Sequence, residues 1–325
     1  MISKTHALAI TDIDNACLVG AYDPFDKASE SFCEKWKIKK FDTIDEILSS
    51  EDIDIISICT PSGTHADLAV AALEKGKHVI VEKPMALTPA DCDRVVNAQI
   101  KSGKKCIVIS QLRFSETSKK VVKAIADGKL GKLLECNIDM KYHRDEEYYS
   151  SSNWRGTWAM DGGGALMNQG IHGIDLMLYY MGDVKSVYGI CRTMRHDIEV
   201  EDTAVAAVEF KNGAIGVIQG TTSVSPGYPR QFTLCGTEGS IVIEEDSILK
   251  WDIPNEVVIT QAAENNSFAD PGAISFNCHK AQIQNLINHL TNGEEILIDA
   301  NEGKRSVELI CAIYQSSKTG KKIDF

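Results

Sequence analysis

Ile53-Asp54-Ile55-Ile56-Ser57-Ile58-Cys59, followed at once by Thr60-Pro61-Ser62-Gly63-Thr64-His65, decides the fold of this 325-residue chain. A nearly unbroken apolar run of strand length marks a strand covered on both faces of a sheet, and Thr-Pro-Ser-Gly closes it as a turn. The period then changes. Leu68, Ala72 and Leu73 lie along one helical face, Thr64 stands where it can cap the helix, and Gly76 ends it. His78–Val81 returns to strand character and is closed by Glu82-Lys83-Pro84. Strand, turn, helix and strand in this order predict a parallel sheet with right-handed crossovers.

Outward from this unit the alternation continues. Upstream, residues 16–22 read as a strand stopping at Asp23-Pro24, Asp26–Trp36 as a helix with Phe32 and Trp36 four apart, and 43–48 as a short helix. Downstream, Thr88-Pro89 opens a helix and 106–110 forms a strand. Past Arg113 the pattern changes. A helix over Glu116–Ala126 and a strand over 133–142 lead into a glycine- and aromatic-rich stretch, then a helix over 165–181. Strands follow at Val184–Arg192, Thr203–Phe210, 214–221, 231–235 and Ser240–Glu244, with Asn212-Gly213 as a hairpin signal. Helices over 275–290 and 301–317 finish the chain. The expectation is an α/β protein: a parallel-sheet domain over 1–113 and an α+β domain with a mostly antiparallel open sheet over 114–325.

Composition narrows the function classes. Hydrophobic residues are 43% and charged residues 25%, the balance of an ordinary globular protein. A net charge of −12 repels phosphate backbones, so no nucleic-acid partner is expected. No apolar run reaches the ~18 residues of a spanning helix, and no signal-peptide pattern opens the chain, so no membrane partner and a cytoplasmic location are expected. Ten cysteines show no CxxC pair and lie largely in apolar runs, which predicts buried free thiols in a reducing compartment and no metal site.

Ligands of an open parallel sheet bind beyond the carboxyl ends of its strands, where Asp23, Thr60-Pro61 and Glu82-Lys83-Pro84 all fall. An acidic residue at such an end accepts hydrogen bonds from a ribose and repels a 2′-phosphate. With Pro24 and Phe25 after Asp23, NAD is favoured over NADP. The second cluster is Gly162-Gly163-Gly164-Ala165-Leu166-Met167-Asn168-Gln169-Gly170-Ile171-His172-Gly173-Ile174-Asp175. Asn168 and His172 are four apart and share a helix face, and Asp175 stands where it can orient the His172 ring. Arg155 is a candidate for a substrate carboxylate or phosphate, because its fork suits both. Lys83 and His172 are both candidate proton acceptors.

Cys59-Thr60-Pro61-Ser62-Gly63-Thr64-His65, Ala71-Ala72-Leu73-Glu74-Lys75-Gly76-Lys77-His78-Val79 and Glu82-Lys83-Pro84, at their spacing from the GGG…His cluster, resemble the Gfo/Idh/MocA oxidoreductase family over essentially the whole chain. Asn153-Trp154-Arg155-Gly156-Thr157-Trp158 and Asp161-Gly162-Gly163-Gly164 are most similar to its WlbA-like branch, whose enzymes oxidise the 3-hydroxyl of UDP-N-acetylated glucuronic acid sugars. The resemblance implies an N-terminal Rossmann domain, with Ser3, Thr60, Pro61, His65, Glu82 and Lys83 joining Asp23 at the cofactor. It also implies a substrate site of Lys83, Arg155, Asn168 and His172, with Lys83 near the nicotinamide and the reacting carbinol. A sheet that forms a homodimer or homotetramer is implied too. Two departures stand out. Asn168 occupies a position that is often Asp. The chain starts Met1-Ile2-Ser3-Lys4-Thr5-His6-Ala7, in register with the first helix, so the first strand and two loop glycines of the fingerprint are absent and weak NAD binding is expected. The expected activity is hydride transfer between a sugar or nucleotide-sugar secondary alcohol and NAD. The alternatives are a free-sugar or inositol dehydrogenase, or a non-catalytic sensor on the same fold.

Overall fold

The computed structural model describes residues 2–256 and 276–325. Its first part runs α1 (Ile2–Thr11), β1 (Gly20–Ala21), α2 (Asp26–Trp36), β2 (Lys39–Lys40), α3 (Ile44–Ser49), β3 (Ile55–Ile58), α4 (His65–Glu74), β4 (His78–Val81), α5 (Pro89–Ser102) and β5 (Cys106–Val108). Strands β3, β4 and β5 pair in parallel in that order, and β1 pairs in parallel with β2 alone. The two sheets do not join. Between them runs a cleft of about 1310 Å³ lined from both sides, by 14–23 and by 51–60.

This gap corrects two expectations. The strand over 16–22 shrinks to Gly20–Ala21, because only β2 offers it a ladder. The 53–59 run is covered less than its sequence suggests: Ile55, Ile56 and Ser57 are half-buried where β3 borders the cleft, while Val79, Ile80 and Val81 of β4 are fully packed. Thr64 does not cap α4. Its hydroxyl bonds Pro61 O at 2.8 Å and Thr60 Oγ1 at 2.7 Å within a 3₁₀ turn over Ser62–Thr64. Thr88 does cap α5, accepting the Asp91 N–H at 3.1 Å.

The second part continues with α6 (Glu116–Ala126), β6 (Leu133–Lys141), α7 (Glu146–Ser150), a π-helical turn over Ala165–Gly170, α8 (Ile171–Met181), β7 (Val184–Arg192), β8 (Thr203–Phe210), β9 (Ile215–Thr221), β10 (Gln231–Gly236), β11 (Ser240–Glu244), β12 (Ser247–Asp252), α9 (Phe276–Asn292), α10 (Ala300–Thr319) and β13 (Ile323–Asp324). The strand order is β12-β11-β10-β6-β9-β8-β7-β13, antiparallel except for β6 beside β9. Asn212-Gly213 makes the β8–β9 hairpin, with Gly213 at φ 89°. The expected helix start at Ser275 lies outside the described residues.

Helix α8 supplies Ile174, Met177 and Leu178 to the inner face of the large sheet. The outer face carries exposed Tyr188, Ile190, Val205, Ile215 and Val217. The last two helices return to the first part. Ile283, Leu286 and Ile287 of α9, at helical spacing, pack with Ala9, Ile13, Ile80, Ile107 and Ile109. Helix α10 lies between β5 and β7: Gly303 sits against Val108 and Gly189 against Ile313, too close in each case for a Cβ.

One buried ion pair corrects the expected role of Asp175. Its carboxylate grips Arg113 in a fork, Oδ2 to Nε at 2.9 Å and Oδ1 to Nη2 at 2.7 Å, and Glu302 takes Nη1 at 2.9 Å. Asp175 points away from His172 because Arg113, fully enclosed and stacked 4.6 Å from the Tyr179 ring, needs an anion. All ten cysteines are free, and Cys33, Cys92, Cys106 and Cys136 are buried. Among the described residues no helix is long and apolar enough to cross a membrane.

Candidate active site

Lys83 follows β4, at the carboxyl end of the parallel sheet, before Pro84. Its Nζ donates to Asn168 O at 2.8 Å, across the join between the two parts of the chain. Burial lowers its pKa below the usual 10.5, the Glu82 and Asp161 carboxylates oppose this, and the Arg144 charge adds to it. His172, on the first turn of α8, is held neutral: burial first and the Lys83 ammonium second push its pKa well below 6.5. The structure therefore brings Lys83, Asn168 and His172 together. The expected helix over 165–181 opens as a π-helical turn that carries Asn168, an irregularity frequent at functional sites.

Asn168 is engaged on the protein side. Its Nδ2 donates to Asp161 Oδ1, and its Oδ1 accepts from Gln169 Nε2 at 3.0 Å. Asp161 is 1% exposed and also accepts the Gly156 N–H at 2.9 Å. Burial raises its pKa to about 6, against the pull of Gly156, Asn168, Lys83 and Arg155. Gln169 continues outward: Nε2 donates to Tyr148 Oη at 2.6 Å, and Oε1 accepts from Arg144 Nη2 at 2.7 Å. Arg155 stacks 4.3 Å from the Tyr148 ring and Arg144 5.3 Å from it. Arg155 Nη1 donates to Tyr148 O at 3.1 Å and to Ser151 Oγ at 2.8 Å. The Nε of both arginines is buried with no hydrogen-bond partner among the described residues.

Glu201, at the start of the β8 hairpin, braces the glycine loop. Its carboxylate accepts the N–H groups of Gly164 at 3.0 Å and Leu166 at 2.8 Å, and the Tyr314 hydroxyl at 2.8 Å. A Cβ at Gly163 would strike Tyr314 Oη and one at Gly164 would strike Glu201 O, so this loop needs glycine for closeness.

Of the expected cofactor contacts, Ser3, Asp23 and Thr60 line the large cleft together. Asp23 Oδ1 also accepts the Phe25 N–H at 2.9 Å, which fixes the turn after β1. Pro61 begins the turn after β3, beside Thr60. His65 and Glu82, expected at the cofactor, direct their polar atoms to protein. His65 lies between Pro84 O at 2.7 Å and Thr60 O at 2.8 Å, so it ties the two loops together. Glu82 is buried against His6 Nε2 at 2.9 Å, with His279 Nε2 at 3.9 Å. Burial alone would raise the Glu82 pKa and lower that of His6. The His6 hydrogen bond and charge, with His279 and Lys83, bring Glu82 down to about 2, and Cys59 first and Glu82 second bring His6 up to about 10. These three side chains have metal-ligand type atoms within 4.8 Å of one another, and the His6–Glu82 hydrogen bond and the His6 bond to Ser57 Oγ at 2.8 Å already engage two of them.

The cleft suits one part of a dinucleotide. Asp23 offers an acceptor for a ribose, while the wall between β1 and β3 lacks a glycine-rich turn among the described residues. Sequence reasoning missed Asp161, Arg144, Tyr148, Gln169 and Glu201. Asp161 lay in plain view before the glycines, but only the fold shows what it faces.

Residues 1–110 match an oxidoreductase family with an NAD-binding Rossmann fold, and residues 118–242 match the GFO/IDH/MocA C-terminal domain. The chain belongs to the Gfo/Idh/MocA oxidoreductase family. Solved members with the same fold include the WlbA dehydrogenase from Bordetella pertussis in complex with NADH and UDP-GlcNAcA. It is 32% identical, with TM-score 0.90 over 100% of this chain and 95% of that one. The WlbA dehydrogenase from Chromobacterium violaceum, with the same two ligands, is 29% identical with TM-score 0.90 over 100% and 93%. Among curated Gfo/Idh/MocA relatives, myo-inositol 2-dehydrogenase of Thermotoga maritima is 27% identical over 74% of this chain and 71% of its own length. D-glucoside 3-dehydrogenase of Escherichia coli is 24% identical over 99% and 93%. This Gfo/Idh/MocA protein is thus an NAD-binding oxidoreductase of the sugar dehydrogenase type.

Proposed function

We propose that the chain oxidises a secondary alcohol of an anionic nucleotide sugar with NAD, C3 of a UDP-N-acetylated hexuronic acid fitting best. The observation that carries this reading is the Arg144–Tyr148–Arg155 stack beside Lys83. Two guanidinium groups on one aromatic ring form a cationic patch within electrostatic reach of the proposed base, suited to a carboxylate or diphosphate. Whole-length similarity to two proteins solved with NADH and UDP-GlcNAcA supports the same substrate class.

NAD would be held by Ser3, Asp23 and Thr60, and when bound it supplies the hydride acceptor. Lys83 takes the hydroxyl proton. Its lowered pKa makes the neutral amine accessible, whereas His172 is too weakly basic to retain a proton near neutrality. Neutral His172 instead hydrogen-bonds the sugar hydroxyl, and Asn168 orients Lys83 through its carbonyl. The departure of Asn168 from Asp leaves no carboxylate on that face of the helix to share the proton.

The test is the appearance of the reduced-nicotinamide absorbance band when the protein meets NAD and UDP-GlcNAcA. Turnover of a free sugar or inositol, with none of the nucleotide sugar, would favour the alternative suggested by the inositol and glucoside dehydrogenase relatives. The exposed apolar strip on β7, β8 and β9 supports self-association through that sheet, as a homodimer or homotetramer.

A further inference from the structure

Four side chains form one continuous polar chain beneath the cationic patch. Asp161 accepts from Asn168, Asn168 accepts from Gln169, and Gln169 accepts from Arg144. The two ends are chemically one-sided, since an ionised carboxylate can only accept and a guanidinium can only donate. The amides between them therefore have one consistent orientation. Asn168 must turn Nδ2 to Asp161, Gln169 must turn Nε2 to Asn168, and Gln169 Oε1 is left facing Arg144. The Arg144 guanidinium has one other hydrogen bond among the described residues, to His143 O at 2.7 Å.

We propose that Asp161 is a positioning residue for anion recognition: while ionised, it fixes the Arg144 guanidinium toward the substrate through Asn168 and Gln169. This rests on the anionic nucleotide-sugar reading. A protonated Asp161 becomes a donor. Asn168 is then free to present Oδ1 to it, Gln169 reverses in turn, and an N–H group meets the Arg144 donor. Arg144 loses its side-chain anchor and the patch loses its aim. Burial places the Asp161 titration near 6, inside the range where proteins are handled. The charged and titratable groups facing Asp161 are Lys83 from the β4 end, Arg155 from its own loop, and the phenols of Tyr148 and Tyr149 from α7. Glu82 and His172 couple to Lys83, and Arg144 acts on Lys83 as well as reaching Asp161 through Gln169 and Asn168. Both phenols are raised above 10 and Glu82 lies near 2, so these groups hold one state between pH 5.5 and 8, while burial pushes the His172 pKa well below 6.5.

The experiment is calorimetric titration of UDP-GlcNAcA into the NADH-loaded protein from pH 5.5 to 8. Reduced cofactor and alcohol substrate cannot react, so affinity is read alone. Affinity should fall about tenfold as pH drops through 6, the scale of one charge-assisted hydrogen bond. In Asp161→Asn the pH dependence should vanish. In Gln169→Leu it should also vanish although Asp161 still titrates, which separates the chain from a direct effect of the Asp161 charge. Tight binding of the same strength at every pH, or an unchanged pH dependence in Gln169→Leu, overturns this inference and leaves the substrate reading standing. No binding at any pH overturns the substrate reading and this inference with it. Thermal melts of each variant identify any that fail to fold, and for those the wild-type profile decides.

Discussion

Replacing Asp175 by Ala separates two roles that its position three residues after His172 could suggest. In the structure it is a stability residue. Its fork donates nothing to the active site and closes the buried Arg113 guanidinium with bonds of 2.9 and 2.7 Å. Both side chains are nearly inaccessible, at 1% for Arg113 and 4% for Asp175. Removal leaves a buried cation with Glu302, which is 36% exposed, and the Tyr179 face as its remaining company. Breaking one partner of a buried pair costs about 3–5 kcal/mol. The surviving Glu302 contact argues for the lower half of that range. Against a total stability of roughly 5–15 kcal/mol, this is a large fraction. The assay is urea unfolding followed by circular dichroism, with turnover measured in parallel below the transition. Asp175→Asn, which keeps one acceptor, should lose less. Arg113→Met with Asp175→Leu should recover most of the loss, because the desolvated charge goes with its partner. A loss below about 1 kcal/mol in Asp175→Ala, the value of an exposed pair, would refute the argument. So would unchanged stability with a shifted pH–rate profile, which would make Asp175 the orienting partner of His172 after all.

Lys83→Ala should lower turnover by roughly 10²–10⁴ with NAD affinity kept, as fits a general base; near-normal turnover in a folded variant would remove it from the reaction. Because the neutral amine is the active form and burial lowers its pKa, kcat/KM should rise with pH to a plateau whose midpoint lies below 10.5. A midpoint below 6.5 would point to His172 instead. NAD should be preferred over NADP in the ratio of kcat/KM values, and Asp23→Ser should narrow that gap; a preference for NADP would remove Asp23 from the ribose. Ile190→Glu and Val205→Glu, at side chains 48% and 44% exposed on the open sheet, should convert an oligomer to monomer in light scattering; a wild-type monomer at micromolar concentration would end that proposal.

Local pattern carried the elements. Asp26–Trp36, His78–Val81, Glu116–Ala126, Val184–Arg192, Thr203–Phe210 and Ser240–Glu244 stand where periodicity and turn residues put them, because burial of one face and the chemistry of caps and turns act over a few residues. Lys83, Asn168 and His172 were legible as a candidate cluster for a related reason. Strand ends and a glycine-rich helix entry announce themselves locally, and a family resemblance linked them. Pairings across the chain were not legible. Asp175 is three residues from His172 in sequence, yet it serves Arg113, 62 positions away. His65 and Glu82 were expected at the cofactor, and the partners their polar atoms find, Thr60, Pro84 and His6, could not be read from the motifs. The Asp161–Asn168–Gln169–Arg144 chain joins a loop, a π-helical turn and the segment after β6, three places with no common spacing. A sequence states what each side chain can donate, accept or bury. Which of several chemically equal partners it meets depends on how the sheets and helices pack, and that is settled only when the whole chain has folded.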